Sequence, residues 1–343
     1  MKFGVLQFFS WPGRRVPLPT VYDRAFERMK IMDETGYDAV WLAEHHFSTY
    51  SVCPSVHIMG THIAAHTKRL RIGTAVSLAG FYHPLRLAEE VALLDVISGG
   101  RVNWGAGRGF DPTEHQVFGV EPKDSYDKFR ESVEIVLAAW NNEKVTYNGK
   151  FWQFDNVEVL PKPHQDPMPV WIAASSQGAM SWAAKCGHSI MMSPHSTHTE
   201  IRENRGYYKS ELEAAGFSIA GRDIPMARTV ALGDTQQEGE DIGRRGAEFM
   251  FGSYLRKNKN VSGAVAGGGE KNESIDTITA AVKGAEDPVE RYVKEVALCG
   301  TPEKVIDDIK RLREINSMEY LMIAPLSHSS FVKFTERVLP AFL

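Results

Sequence analysis

Residues 36–47 read GYDAVWLAEHHF. The apolar run at 39–42 has the length and composition of a buried strand. Three titratable side chains, Glu44, His45 and His46, follow the run almost at once. In parallel α/β folds, the groups that carry chemistry lie where strands end and loops begin. This stretch therefore predicts both a buried strand and one edge of an active site.

The same unit recurs along the chain. Short apolar runs alternate with amphipathic helical stretches, of which 123–140 and 301–315 are the clearest. Eight strands are predicted, at 3–8, 39–42, 70–75, 102–106, 170–174, 189–192, 226–232 and 320–324. They predict an α/β fold, a (β/α)8 TIM barrel that forms a single domain over 1–343. A doubly wound open sheet is the alternative, but it would hold unusually many parallel strands and the chain lacks a dinucleotide fingerprint.

Two segments interrupt the alternation. Residues 144–160 predict a β-hairpin insertion, because Asn148-Gly149 is the dipeptide that two-residue hairpin turns favour. Residues 256–287 are rich in Lys, Gly, Ala, Asn and Glu and show little apolar periodicity. A segment of this length is typical of a lid or a disordered loop, and we interpret it as a mobile lid.

Composition argues against several classes of protein. The chain has 343 residues, of which 43% are hydrophobic, and its net charge of −4 offers no attraction for nucleic acid or an anionic membrane. Cys53, Cys186 and Cys299 are far apart, which argues against a disulfide framework and a structural zinc site. The N-terminus lacks signal-peptide features, and no apolar run approaches membrane-spanning length. We therefore expect a cytoplasmic protein.

His45 is the first candidate for chemistry. Its place after a predicted strand favours an active-site role, in which a histidine donates or accepts a proton near neutral pH. Glu44 could fix the tautomer of His45 by accepting a hydrogen bond from one of its ring nitrogens. The alternative is that these side chains are helix caps or loop histidines with structural partners.

Two other strand ends predict a phosphate site. Arg108 lies among the small residues of 105–109, so a ligand can approach the backbone while the guanidinium offers a fork suited to phosphate. Ser175-Ser176-Gln177-Gly178 opens a helix, where hydroxyls and N–H groups favour an anion. Together they predict one phosphomonoester bound between neighbouring strands. A salt bridge for Arg108 and a plain N-cap for the serines are the alternatives.

A dinucleotide site and a metal site have less support. The glycines of 105–109 are followed by Phe110-Asp111-Pro112 instead of a helix, which argues against a Rossmann fingerprint. Neither HxH nor HExxH occurs, so we predict no metal ligand. Several metal-binding side chains nevertheless fall near loop mouths, namely His45, His46, His83, Asp111 and His115. A metal-dependent barrel hydrolase therefore stays as the last alternative.

With these residues in view, the chain resembles the bacterial luciferase-like monooxygenases, flavin-dependent (β/α)8 enzymes, essentially from end to end. The stretches that carry the resemblance are 36–47, Gly-Thr-Ala-Val at 73–76, His-Pro-Leu-Arg at 83–86, Leu-Asp-Val-Ile-Ser-Gly-Gly-Arg at 94–101, Gly-Ala-Gly-Arg-Gly at 105–109 and Gly-Thr-Pro-Glu at 300–303. The resemblance implies that His45 is the catalytic histidine beside the isoalloxazine ring of FMN, with Glu44 in support.

The resemblance also implies the residues that bind FMN. Arg108, Ser175 and Ser176 would hold its phosphate, and Gln177 and Gly178 would add backbone donors. A non-proline cis peptide bond between Ala75 and Val76 is expected under the flavin ring.

The chemistry implied is oxygen insertion by a flavin C4a-peroxy intermediate, formed from reduced FMN and O2, into a small apolar aldehyde, ketone or related substrate. Phe8, Phe47, Phe81 and Phe110 are expected to line the substrate pocket. A separate flavin reductase would supply reduced FMN, and a homodimer through barrel helices is expected. The alternatives are an F420-dependent oxidoreductase of the same superfamily and a non-catalytic flavin-binding protein.

Overall fold

The computed structural model describes residues 1–261 and 287–343, of which 254–261 are described through their backbone alone. The strands in these residues are β1 (Lys2–Gln7), β2 (Ala39–Leu42), β3 (Arg71–Thr74), β4 (Ser77–Leu78), β5 (Val102–Gly107), β6 (Lys144–Asn148), β7 (Gln153–Glu158), β8 (Val170–Ala173), β9 (Ser189–Met191), β10 (Met226–Leu232), β11 (Leu298–Gly300) and β12 (Tyr320–Pro325). All of them except β6 and β7 belong to one parallel sheet.

The parallel sheet is curled, and its order is β11-β10-β12-β1-β2-β3-β5-β8-β9, with β4 paired to β5. All eight predicted strands are present, as β1, β2, β3, β5, β8, β9, β10 and β12. Hydrogen bonds among the described strands do not close the predicted ring, because β9 and β11 end the ladder. A strand has two edges, and those of β10 are taken by β12 and, at Val230–Leu232, by β11. Over Val230–Leu232, β11 therefore occupies the edge of β10 that lies away from β12, which is the edge that β9 would need to close the ring.

Helices connect the strands. They are α1 (Leu18–Glu34), α2 (Val56–His66), α3 (Pro84–Ser98), α4 (Pro112–Val117), α5 (Ser125–Asn141), α6 (Gln177–Lys185), α7 (His198–Ala214), α8 (Gln236–Val261), α9 (Pro288–Glu295), α10 (Pro302–Asn316) and α11 (His328–Lys333). The helix predicted at 301–315 is confirmed as α10, which begins with Pro302 after Thr301 has capped it by accepting the N–H of Lys304. The stretch predicted at 123–140 corresponds to α5.

Trp41 is one of the large side chains that fill the interior of the curled sheet, where it meets Trp171 edge-on. The Trp41 indole N–H donates to the hydroxyl of Tyr320 (2.9 Å), and that hydroxyl donates to Asp38 (2.8 Å). Tyr320 is the first residue of β12, and Asp38 directly precedes β2. Gly73 makes room for this ring, since a Cβ there would lie 2.2 Å from Trp41. At the carboxyl ends of the strands, the residues that follow are often small, as Ala75 is after β3. Small side chains at this end of the sheet are compatible with a bound ligand there.

The 144–160 segment contains β6 and β7, which pair antiparallel as a separate two-stranded sheet. The turn differs from the expected two-residue Asn-Gly turn. Asn148 pairs with Gln153, and the N–H of Gly149 donates to the carbonyl of Trp152 (2.9 Å), so Asn148 is the last residue of a strand. The Glu131 carboxylate of α5 accepts the N–H of Phe151 (2.9 Å), which fixes the longer loop.

The lid predicted at 256–287 lies mostly outside the described residues. Its first part, 256–261, forms the end of α8, and 262–286 are not described. Among the described helices, none combines the length and the apolar character that crossing a membrane requires.

Candidate active site

The predicted site residues follow strands that are neighbours in the sheet. Leu42 at the end of β2 pairs with Thr74 at the end of β3, and Leu78 of β4 pairs with Gly107 of β5. A Cβ on Gly107 would lie 3.5 Å from the Cβ of Ala173 at the end of β8. Parallel pairing therefore brings His45, the Ala75–Val76 segment, Arg108 and the start of α6 to one edge of the sheet.

The His45 ring lies in an aromatic surrounding. It stacks on Phe8 (centroids 6.1 Å apart) and meets Tyr50 (5.1 Å) and Phe110 (6.1 Å) edge-on. Its backbone N–H donates to the carbonyl of Cys53 (3.2 Å). Two of the four phenylalanines predicted for the substrate pocket, Phe8 and Phe110, thus contact the predicted catalytic histidine.

Phe47 and Phe81 contact a different aromatic residue. Phe81 stacks on Phe118 (5.1 Å), and Phe47, whose exposed fraction is 55%, also packs on Phe118 (5.5 Å). The His46 ring meets Phe118 edge-on at 4.8 Å. The structure therefore divides the predicted phenylalanines into one pair at His45 and one pair at Phe118.

Glu44 does not bind His45 as predicted. Its buried carboxylate pairs with Nε2 of His46 (3.0 Å), accepts the Tyr82 hydroxyl (2.9 Å) and accepts the N–H of Leu78 (3.2 Å). The side chains of these two adjacent residues diverge, so that Glu44 meets His46 while His45 faces Glu114. Burial, and then the Glu44 charge, raises the pKa of Tyr82, so its phenol stays a hydrogen-bond donor. Glu44 thus holds His46 and the start of β4.

Glu114 is the carboxylate near His45, and the sequence interpretation missed it. Its Oε1 lies 3.6 Å from Nδ1 of His45 and accepts the backbone N–H of His46 at 2.9 Å. Glu114 is buried on α4, whose N-cap Asp111 accepts the N–H of Thr113. The spacing from Asp111 to Glu114, which is that of a capping box, marked Glu114 in the sequence as a residue of a helix N-terminus. In the structure, its carboxylate contacts His45 and the backbone of His46.

The Ala75–Val76 peptide bond is cis, as expected. Both residues are partly exposed, whereas their neighbours Thr74 and Ser77 are buried. Val76 sits directly over Gly107, because a Cβ on that glycine would lie 2.3 Å from Cγ2 of Val76. The Ala75–Val76 segment is thus a small apolar surface at the strand ends, and it packs directly against Gly107 of β5.

The predicted phosphate ligands lie at the ends of β5 and β8. Nη1 of Arg108 donates to the hydroxyl of Ser125 (2.9 Å) at the start of α5. Ser176 caps α6 by accepting the N–H of Ala179 (3.2 Å), whereas Ser175 is exposed. The first N–H groups of a helix have no acceptor within that helix, so Gln177 and Gly178 can serve an anion. A Cβ on Gly178 would meet no atom within 4 Å, which marks open space beside these donors.

A second histidine follows a strand and was also missed. Nδ1 of His195, after β9, lies 3.3 Å from the hydroxyl of Tyr292, which is 2.7 Å from Oγ1 of Thr229. Burial, and then the charges of His45 and Arg228, lower the pKa of His195 to about 4. His195 is therefore neutral near pH 7, and it lies close enough to His45 for charges on the two rings to interact. The Ser-Pro-His run after the strand at 189–192 was its sequence signal.

Cys53, next to the site, is a buried thiol. Burial, and then the Glu44 charge, raises its pKa to about 12. Within the described part of the chain, no group of three or more His, Cys, Asp or Glu side chains is arranged to hold a metal ion.

Comparison with known proteins agrees with this geometry. The family model described as luciferase-like monooxygenase matches residues 1–317. The oxygenase component of the flavin-dependent trigonelline monooxygenase of Acinetobacter baylyi is 25% identical, over 100% of this chain and 96% of that protein. The monooxygenase RslO1 from Streptomyces bottropensis superposes with a TM-score of 0.80 at 28% identity, with both chains fully covered.

An F420-dependent secondary alcohol dehydrogenase also shares the fold, with a TM-score of 0.77 at 19% identity over 100% of this chain and 99% of that one. The family match covers most of the chain, and it accords with the parallel sheet and the cis peptide bond described above. The chain belongs to the luciferase-like monooxygenase family.

Proposed function

We propose that this protein is the oxygenase component of a two-component, FMN-dependent monooxygenase. It would receive reduced FMN from a separate flavin reductase and use O2 to oxygenate a small apolar aldehyde, ketone or related molecule. The observation that carries this proposal is the meeting of His45, the Ala75–Val76 segment and Arg108 at neighbouring strand ends.

The donor set suits FMN. A phosphomonoester needs several donors and a positive charge, and Arg108, Ser175, Ser176 and the N–H groups of Gln177 and Gly178 supply them. The partly exposed Ala75 and Val76 offer an apolar rest for a flat ring.

FMN, when bound in its reduced form, supplies the electrons that activate O2. Phe8, Tyr50 and Phe110 provide the apolar wall that keeps water from the reacting groups. Nδ1 of His45 faces Glu114, so Nε2 is the ring nitrogen that exchanges a proton with the reacting molecule. Glu44 acts indirectly, through His46 and the start of β4.

The expected homodimer also has structural support. Large apolar side chains are exposed on α2 and α3, namely Ile58 (75% exposed), Leu93 (51%), Val96 (43%) and Ile97 (50%). Apolar surface of this kind on two adjacent helices is typical of a protein interface. We propose that two copies pair through this α2–α3 face. We further propose a cytoplasmic location, where NADH can drive the reductase.

Labelled oxygen tests the proposed function. The protein is mixed with a flavin reductase, NADH, FMN, isotopically labelled O2 and a panel of apolar aldehydes and ketones, and the products are examined by mass spectrometry. We expect one labelled oxygen atom in the product of at least one compound. Catalase is included to exclude oxidation by released hydrogen peroxide, and the His45→Ala protein serves as the inactive control.

Two results would contradict the proposal. Tight FMN binding without labelled product across the panel would favour a flavin-binding protein without catalysis. Tighter binding of F420 than of FMN, with substrate oxidation that proceeds without O2, would favour the F420-dependent alternative.

A further inference from the structure

A chain of three polar side chains reaches the Ala75–Val76 segment from outside the sheet. The hydroxyl of Ser77, the first residue of β4, lies 3.0 Å from Nε2 of His57 on α2. Nδ1 of His57 lies 3.2 Å from Oε2 of Glu90 on α3. The other oxygen of Glu90 accepts Nε–H of Arg86 (2.7 Å). A carboxylate, an imidazole and a hydroxyl are thus connected in series.

The order of these groups resembles a catalytic triad, but their burial argues against a nucleophile. Ser77 is completely buried and His57 is 4% exposed, so no substrate can reach the hydroxyl. The partners instead fix directions. Glu90 accepts only, so His57 donates from Nδ1, and its Nε2 then accepts the Ser77 hydroxyl. The hydrogen bond to His57 lowers the pKa of Glu90, which keeps this acceptor ionised.

A second connection holds the next residue. The N–H of Leu78 donates to Glu44, which also accepts the Tyr82 hydroxyl. Ser77 and Leu78 are therefore tied to different carboxylates. On the other side, Val76 lies against Gly107 with no space for a Cβ between them. Ser77 is covalently bonded to Val76. A shift of Ser77 would therefore move Val76 along the surface of Gly107.

We propose that Glu90, His57 and Ser77 form a positioning relay that fixes the Ala75–Val76 surface. This inference rests on the proposed function, in which the flavin ring lies against that surface. The three side chains touch neither flavin nor substrate. They act through the backbone, and their loss lets the surface move, which weakens FMN binding and allows reduced flavin to release hydrogen peroxide without product.

The test compares matched variants. His57→Leu removes both ring nitrogens, whereas His57→Gln keeps an amide that can accept from Ser77. Ser77→Ala removes a single oxygen atom. Glu89→Gln changes the exposed neighbour of Glu90 and serves as the control. Three quantities are measured, namely hydrogen–deuterium exchange of a peptide covering 75–82 without FMN, the Kd for oxidised FMN, and the ratio of hydrogen peroxide to product.

We expect His57→Leu and Ser77→Ala to speed exchange in the 75–82 peptide and to raise the Kd for FMN about fivefold, the effect of one lost hydrogen bond. The ratio of peroxide to product should rise in the same two variants. His57→Gln should fall between them and the wild type, and Glu89→Gln should match the wild type.

The inference is overturned if the variants lose thermal stability while exchange of the 75–82 peptide and the Kd for FMN stay unchanged, since the side chains would then be structural only. If wild type binds no FMN, the proposed function fails, and the exchange measurement still decides whether the relay holds the segment. Should His57→Leu fail to fold, Ser77→Ala gives the same answer with a smaller change.

Discussion

At the scale of single residues, the site depends on which carboxylate faces which histidine. Glu114 serves the backbone of His46 with the same oxygen that lies 3.6 Å from Nδ1 of His45. Glu44, although adjacent to His45 in sequence, binds the His46 ring. Each glutamate therefore supports a different part of the site, and removing either one should have a different effect.

The first prediction concerns His45. Replacing it with alanine removes the group that we propose to exchange a proton with the reacting molecule, so we expect turnover to fall roughly 10²–10⁴-fold. The Kd for FMN should change little, because the predicted phosphate ligands are untouched. Product formation and FMN titration measure the two effects. A rise in Kd as large as the loss of turnover would show that His45 acts in cofactor binding instead.

Arg108 should show the opposite behaviour. Arg108→Ala removes a charge-assisted hydrogen bond to phosphate, so we expect the Kd for FMN to rise roughly 10–100-fold. Riboflavin lacks the phosphate, and its weaker binding should be the same in both proteins. Equilibrium fluorescence titration with the two flavins provides the measurement. Equal weakening of riboflavin binding would mean that Arg108 acts on the ring or on the fold.

Glu114 provides a third test. Glu114→Gln keeps the size and one acceptor oxygen but removes the charge beside His45, so we expect turnover to fall about tenfold, with the Kd for FMN unchanged. Glu44→Gln is the matched comparison, since it changes a buried carboxylate that binds His46. Steady-state kinetics of both variants decide the question. Unchanged turnover in Glu114→Gln would remove this carboxylate from the mechanism.

At the scale of elements, the end of β5 sets the spacing of the site. A Cβ on Gly105 would lie 2.1 Å from the carbonyl oxygen of Thr74, and one on Gly107 would lie 2.3 Å from Val76. The strand carries glycine at alternate positions because β3 and the segment after it pack directly against its backbone. Arg108 directly follows Gly107, so the contact between Gly107 and Val76 fixes where the Arg108 backbone lies.

Alanine substitution tests this spacing. Gly107→Ala forces Val76 or β5 to move, so we expect the free energy of unfolding to fall by about 1–3 kcal/mol. Gly206→Ala is the control, because a Cβ there meets no atom within 4 Å. That change lies inside α7 and should raise the free energy of unfolding by up to about 1 kcal/mol. Urea unfolding measures both, and equal effects would refute the spacing argument.

The strands were predictable from sequence because their apolar runs are bounded by polar residues and glycine. Two short strands, β4 and β11, were missed, since two or three residues carry no periodicity. The strand ends predicted that His45 and Arg108 lie at the same edge of the sheet, and the order β2-β3-β5 agrees with that position. Glu114 and His195 were missed, because their approach to the site depends on how α4 and the segment after β9 fold back. The pairing of Glu44 depends on side-chain direction, which the sequence does not reveal.

At the scale of the whole molecule, buried histidines link folding to pH. Burial, followed by nearby cations, lowers the pKa of His195 to about 4 and that of His198 to about 3, from the ordinary 6.5. Below about pH 6.5, these two histidines therefore bind protons in the unfolded chain but stay neutral in the folded protein. The stability that these groups contribute is fully present above that pH and is lost progressively as the pH falls from about 6.5 towards the folded pKa values.

We therefore expect the free energy of unfolding to fall on the order of 4 kcal/mol between pH 7 and pH 5, about 2 kcal/mol for each of the two histidines. His198→Asn should reduce this dependence, since the amide oxygen can still accept Nε–H of Arg228 but does not titrate. Urea unfolding of both proteins across this range is the measurement. An identical slope in the variant would show that His198 does not contribute.

Cys53 has a consequence for the endurance of the enzyme. A flavin oxygenase that releases hydrogen peroxide exposes its own thiols to an oxidant, and peroxide attacks the thiolate form. The thiol nearest His45 is buried and has a pKa of about 12, so it stays protonated and chemically inert. Cys186 is the exposed thiol of the described chain, and burial raises its pKa as well. Oxidative damage should therefore begin at Cys186 on the protein surface and spare Cys53 beside His45.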